Sequence, residues 1–242
     1  MDWHDRYVHQ ARWTRDLRRY LFDKAGLNSA QRILEVGCGT GAILTELVPP
    51  SARHGLDLDR AALLRARVHA PGIFLANADA LCLPYAGYAF DLTFCHFLLL
   101  WVSDPLQVIR EMARVTRPNG FVIALAEPDH TARVDKPDSL VPLGHWQTEA
   151  LRAQGADVAF GARLADTFDR AGIEIVETGA LQSVGGEASR EAREDEWRTI
   201  ETDLAASVPG EDLRTMKALD EQAWERGERV LFVPTYFVLG RV

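Results

Sequence analysis

Arg32-Ile33-Leu34-Glu35-Val36-Gly37-Cys38-Gly39-Thr40-Gly41 is the stretch that decides the fold. A short apolar run closes on three alternating glycines, and from residue 42 to 48 the apolar positions take helical spacing until Pro49-Pro50 forbids continuation. The expected structure is a strand, a tight turn and a helix. Glycine lets a backbone turn sharply and approach a ligand with no Cβ in the way, while free amides at a helix start attract an anionic group. A nucleotide-like ligand is therefore expected on this turn.

Outward from it the alternation repeats. Residues 53–58 read as a strand, 60–70 as an alanine-rich helix and 73–76 as a strand; 90–97 is a buried strand, 105–116 an amphipathic helix and 121–126 a continuous apolar strand. This βα order predicts a parallel, doubly wound sheet with right-handed crossovers. Ahead of it, residues 14–25 carry a helix that stops at Gly26. Behind it, Pro128, Pro137 and Pro142 punctuate a polar stretch that leads into a helix over 143–154. A helix over 162–171 and a strand over 173–177 follow, then a charged helical insertion over 187–226. The final strand, 230–242, contains Pro234, which favours an edge or bulged position.

The 242 residues are 47% hydrophobic and 26% charged, which suits one globular domain with a full core. The domain divides into an N-terminal helical lid (1–30), a ligand-binding half (31–127) and a substrate-side half (128–242) that holds an insertion over 183–228. The formal charge of -8 and a pI near 5.4 oppose a phosphate backbone, so no nucleic-acid partner is expected. The longest apolar stretch, 92–102, is shorter than the roughly 20 residues a membrane span needs, and it contains His96. No membrane partner is expected. Three cysteines without CxxC pairing, and an N-terminus unlike a signal peptide, point to a reducing, cytoplasmic setting. Nothing in the sequence fixes the oligomeric state.

Two ligand classes fit the glycine turn. Gly37-x-Gly39-x-x-Ala42, with Asp57 20 residues after Gly37, satisfies the dinucleotide pattern of a nicotinamide oxidoreductase. Glu35, however, puts a carboxylate beside the loop a pyrophosphate would occupy; it repels phosphate and suits a cationic amino acid. The segments Ile33-Leu-Glu-Val-Gly-Cys-Gly-Thr-Gly41, Gly55-Leu-Asp-Leu-Asp59, Asn77-Ala-Asp-Ala80 with Leu83-Pro84, Phe90-Asp-Leu92 and Arg117-Pro-Asn-Gly120 occur in order. Together they resemble the class I S-adenosylmethionine-dependent methyltransferases, especially the small-molecule branch, over roughly residues 30–127.

That resemblance implies a Rossmann-like sheet of seven strands with the last antiparallel, helical cap elements, and S-adenosylmethionine as cofactor. Carried over by position, it implies that Gly37, Cys38 and Gly39 cradle the methionine part and that Glu35 orders the loop or meets the ammonium. Asp57 would take the ribose hydroxyls with Leu58 beside it, Asp79 and the Ala80 amide the adenine, and Cys95 and His96 would face the transferred methyl. Tyr7, Arg12, Trp13 and Arg18 would belong to the lid. The expected reaction is methylation of a small organic acceptor at oxygen or nitrogen. The rivals are the oxidoreductase, a non-catalytic S-adenosylmethionine-binding protein and an aminopropyltransferase.

General-base candidates are His96, His130 and His145, with Glu127. There is no Asn-Pro-Pro-Tyr sequence of the amino-methylating nucleic-acid enzymes, and Cys95 lacks the preceding proline used for attack on cytosine. No metal is expected, with Asp129, His130 and Asp135 the residues that keep the question open.

Overall fold

In the computed structural model, which describes residues 3–47, 52–181 and 190–242, the first two elements are helices, α1 (Trp3–Trp13) and α2 (Arg15–Lys24). Alternating units follow: β1 (Arg32–Val36), β2 (Ala52–Asp57), α3 (Arg60–His69), β3 (Phe74–Asn77), β4 (Phe90–Cys95), α4 (Pro105–Val115) and β5 (Thr116–Pro128). Next come β6 (Val134–Lys136), α5 (Val141–Ala153), α6 (Leu164–Arg170), β7 (Glu174–Leu181), α7 (Arg190–Leu204), α8 (Gly210–Glu225), β8 (Val230–Phe232) and β9 (Thr235–Arg241).

Seven strands form one sheet in the order β3-β2-β1-β4-β5-β9-β7. The first five are parallel, and β9 runs antiparallel to both of its neighbours. Because strand side chains alternate, each central strand feeds two cores. Leu34, Val36, Val122, Ala124 and Val238 pack with Val108, Ile109 and Met112 of α4 and Phe168 of α6. Ile33, Ile123, Leu125, Phe237 and Leu239 pack on the other face with Leu21 and Phe22 of α2 and Leu63 of α3. A third, smaller core joins Leu143 of α5 to Trp197, Ile200 and Leu204 of α7 and Leu213 of α8.

Helix starts follow the local chemistry. Asp59 accepts from the Ala61 amide at 2.7 Å ahead of α3, and Asp104 accepts from the Gln107 amide at 3.0 Å ahead of α4, where Pro105 opens the helix.

Two expectations are corrected. The helix over 42–48 is not formed among the described residues; 42–46 is a series of turns, and Val48 lies outside the described residues. The Leu44 carbonyl, which a continuing helix would use, instead accepts from Arg53 Nη1 at 3.1 Å, as the Leu47 carbonyl does at 2.9 Å, while the Leu44 amide donates to Glu35. The strand over 230–242 is two strands. Pro234 separates β8, which pairs with β6 in a two-stranded ribbon, from β9, which is interior and not an edge. The helix expected over 14–25 is α2, and a further helix, α1, precedes it. In the insertion, α7 and α8 carry the expected helical spacing, while its residues 183–189 lie outside the described residues.

The end of β5 is seated by a close approach, since a Cβ on Gly161 would lie 2.4 Å from the Glu127 carbonyl oxygen and 2.7 Å from the Pro128 carbonyl carbon. Backbone cannot yield as a side chain tip can. Gly161→Ala should therefore destabilise the protein by about 1–3 kcal/mol, read from the midpoint of urea unfolding.

Candidate active site

The carboxyl ends of β1, β2, β4 and β5 converge on one edge of the sheet, where open parallel sheets bind ligands. The turn after β1 carries positive φ at Gly37 (74°), Gly39 (51°) and Gly41 (76°), a conformation glycine adopts without penalty. Leu98 closes against Gly37, and the Tyr7 ring of α1 lies 3.0 Å from where a Gly39 Cβ would stand. Gly37 and Gly39 are required by contact as well as by dihedral.

The amides of four residues of this turn are already spent. Gly37 and Cys38 both donate to the Leu56 carbonyl at 2.8 and 2.9 Å, Gly39 donates to Asp57 Oδ2 at 2.7 Å, and Gly41 donates to the Cys38 carbonyl at 2.8 Å. Those four amides are therefore not offered to an anion. With those donors closed and two carboxylates beside it, the turn is a poor pyrophosphate cradle.

Glu35, at 3% exposure, accepts from the Leu44 amide, yet its Oε2 is buried without a partner. Burial holds its carboxyl well above the usual range, against the nearby Arg18 guanidinium, which lowers it. Asp57 Oδ1 accepts from the Asp59 amide at 2.8 Å, and burial raises its carboxyl despite the amides it holds. Each carboxylate oxygen retains lone-pair capacity for a hydroxyl. Leu58, next to it, is 71% exposed, an open apolar face beside the acid.

Asp79 is exposed, and its Oδ1 accepts from the Leu81 amide at 2.9 Å, so it builds a turn; Ala80 is buried behind it. Cys38 and Cys95 are buried, and burial pushes both thiols well up. Their side chains are inert packing, which leaves only backbone for ligand contact.

The basic candidates separate. His96 Nε2 lies 2.9 Å from Thr14 Oγ1, which also accepts from Arg18 Nη1 at 2.6 Å; burial and the Arg18 charge lower the imidazole to about 3. His130, after β5, has a buried Nδ1 without a partner and is lowered to about 4, chiefly by burial. His145 is exposed on α5. Glu127 is a structural group: Oε1 accepts from the Leu98 and Leu99 amides at 3.0 Å each and Oε2 from Leu100 at 3.2 Å, holding the turn after β4. Asp135 is clamped between Arg133 (2.6 Å) and Arg229 (3.0 Å), and among the described residues no three His, Cys, Asp or Glu side chains converge on a metal position.

Of the lid residues, Tyr7 reaches the turn, and burial with the Asp57 charge raises its phenol. Trp13 is exposed and Arg12 lies on the exposed side of α1. Sequence reasoning missed His4, whose Nδ1 lies 2.8 Å from Thr40 Oγ1 and whose ring stacks on His69 at 3.6 Å. The available signal was the three-residue spacing of His4 and Tyr7, which puts both on one helix face.

A doubly wound sheet with an antiparallel penultimate strand, and a donor-poor glycine turn flanked by acids, defines a nucleoside-binding α/β protein of methyltransferase type. Residues 34–124 match the methyltransferase domain family, and the chain is similar to the class I S-adenosylmethionine-dependent methyltransferases. A demethylmenaquinone methyltransferase of Renibacterium salmoninarum is 34% identical over 122 residues, covering 48% of this chain and 49% of the relative. A malonyl-[acyl-carrier protein] O-methyltransferase of Halorhodospira halophila is 31% identical over 197 residues, 78% of this chain and 57% of the relative. The chain thus spans about half the length of the curated relatives it matches. Among solved structures, a Bacillus halodurans C-125 protein assigned as a methyltransferase superposes with a TM-score of 0.60 at 15% identity, over 92% of this chain and 97% of the other, which speaks to the fold.

Glu127 makes stability depend on pH. Burial raises it from 4.5 to about 7, so between those values the native chain holds a proton the unfolded chain has lost. Stability should fall as pH climbs from about 4.5 to 7, by up to the order of 3 kcal/mol, and Glu127→Gln should flatten that slope in denaturant titrations.

Proposed function

We propose that this protein transfers a methyl group from S-adenosylmethionine to an oxygen or nitrogen of a small organic acceptor. The observation that carries the reading is the unpartnered, buried Glu35 Oε2 beside a glycine turn in which the amides of Gly37, Cys38, Gly39 and Gly41 are consumed by the protein itself. A cation with hydroxyls suits that site and a pyrophosphate does not, which disfavours the nicotinamide alternative.

Glu35 would meet the ammonium group of the cofactor, and Gly37, Cys38 and Gly39 would line its methionine part. Asp57 would accept the ribose hydroxyls, Leu58 would cover the base, and Asp79 with the Ala80 amide would read its amino edge. Cys95 would border the methyl. When bound, the cofactor supplies an electrophilic methyl on a sulfonium. The chain's part is to align the acceptor with it and exclude water.

His96 and His130 take the role of neutral hydrogen-bonding groups, since imidazoles lowered to about 3 and 4 are weak proton acceptors. His145, exposed on α5, would act only on an acceptor entering from the cap. Acceptors already nucleophilic at neutral pH suit this site best.

Calorimetric titration with S-adenosylhomocysteine, with NADH in parallel, tests the cofactor. The thioether should bind, NADH should not, and Asp57→Ala should weaken binding about tenfold or more. Binding of NADH alone would overturn the reading. His96→Asn should lower kcat while leaving the shape of the pH–rate profile between about 5 and 8 unchanged, because the imidazole is neutral throughout. Loss of a limb in that range would make His96 a titrating base.

A further inference from the structure

α1 crosses the ligand edge with little apolar anchoring. Of its side chains only Ala11 is fully buried among those described, and an isolated helix of this length is marginal in water. Yet it carries the two side chains that cover the glycine turn, His4 on Thr40 and Tyr7 on Gly39. Between them in sequence stands Arg6, whose Nη1 and Nη2 donate to Asp203 Oδ1 and Oδ2 at 2.8 Å each. Asp203 lies on α7, next to Leu204, which is fixed in the third core with Ile200 and Trp197. The pair is half-buried, at 21% and 26% side-chain exposure, and it joins residues 197 apart in sequence.

We propose that Asp203 is a positioning residue: through its two-pronged bond to Arg6 it latches the lid helix to the acceptor-side cap, so that cofactor retention depends on the cap. The inference rests on the cofactor reading above. Two parallel charge-assisted bonds set the helix's angle as well as its affinity, which a single contact cannot do. His4 and Tyr7 are one turn or less from Arg6, so releasing α1 from α7 loosens both covers of the glycine turn at once. Asp203 itself reaches the turn only through α1.

Two measurements on Asp203→Asn test this. Hydrogen exchange of the α1 amides should quicken at least severalfold over wild type, with the sheet amides unchanged. S-adenosylhomocysteine should dissociate about tenfold faster in stopped flow at low salt, and the wild-type rate should rise toward that of the variant as salt screens the pair, while the variant's rate stays flat. The swap Arg6→Asp with Asp203→Arg should restore slow exchange and slow release. Unchanged α1 exchange overturns the latch whatever the ligand does, and so does faster exchange with unaltered, salt-insensitive release. If wild type does not bind the thioether, the cofactor reading fails and the exchange result alone decides whether Asp203 holds the lid.

Discussion

The carboxyl group of Glu35 is the constraint from which the rest of the ligand edge follows. A carboxylate at the end of an interior strand is costly to desolvate, and only one of its oxygens is answered within the chain. It accepts from the Leu44 amide in the run of turns that follows the glycines. Asp57, one strand over, takes the Gly39 amide. Two acids thus tie the loop to the strands on either side of it.

How the sequence revealed the fold, and where it did not, comes down to the range of the interactions involved. The apolar runs of β1, β4 and β5 and the capped starts of α3 and α4 are local signals, and β1, β4, α3 and α4 are found within a residue or two at their starts, while β4 stops two residues short of the expected end and β5 begins five residues before the expected strand and ends two after it. The interior place of β9 is not local. Pro234 read as an edge signal because a proline cannot donate to a ladder, but here it stands between two strands and costs neither ladder a bond. In the same way the glycine spacing by itself admitted two cofactor classes; Glu35 argued against a pyrophosphate in the sequence, and the hydrogen bonds of the turn to Leu56 and Asp57 on a neighbouring strand, invisible there, argue in the same direction.

The candidate site was legible where a residue type has one use. Glycines at positive φ and an acid after the second strand are such cases. Histidine is not, because its chemistry is set by what surrounds it. His96 follows an apolar strand in the sequence, but its environment is made by Thr14 and Arg18 from a helix some eighty residues earlier. Glu127 looks like a base by position and proves to be the acceptor for three successive amides.

Arg18 connects these observations. This buried guanidinium bonds to Glu46 and Thr14, lies close enough to Glu35 to favour its ionised form, and lowers His96. One fixed positive charge therefore withdraws proton affinity from two groups with unlike results: at Glu35 it works against the burial that raises the carboxyl, and at His96 it adds to the burial that keeps the imidazole neutral.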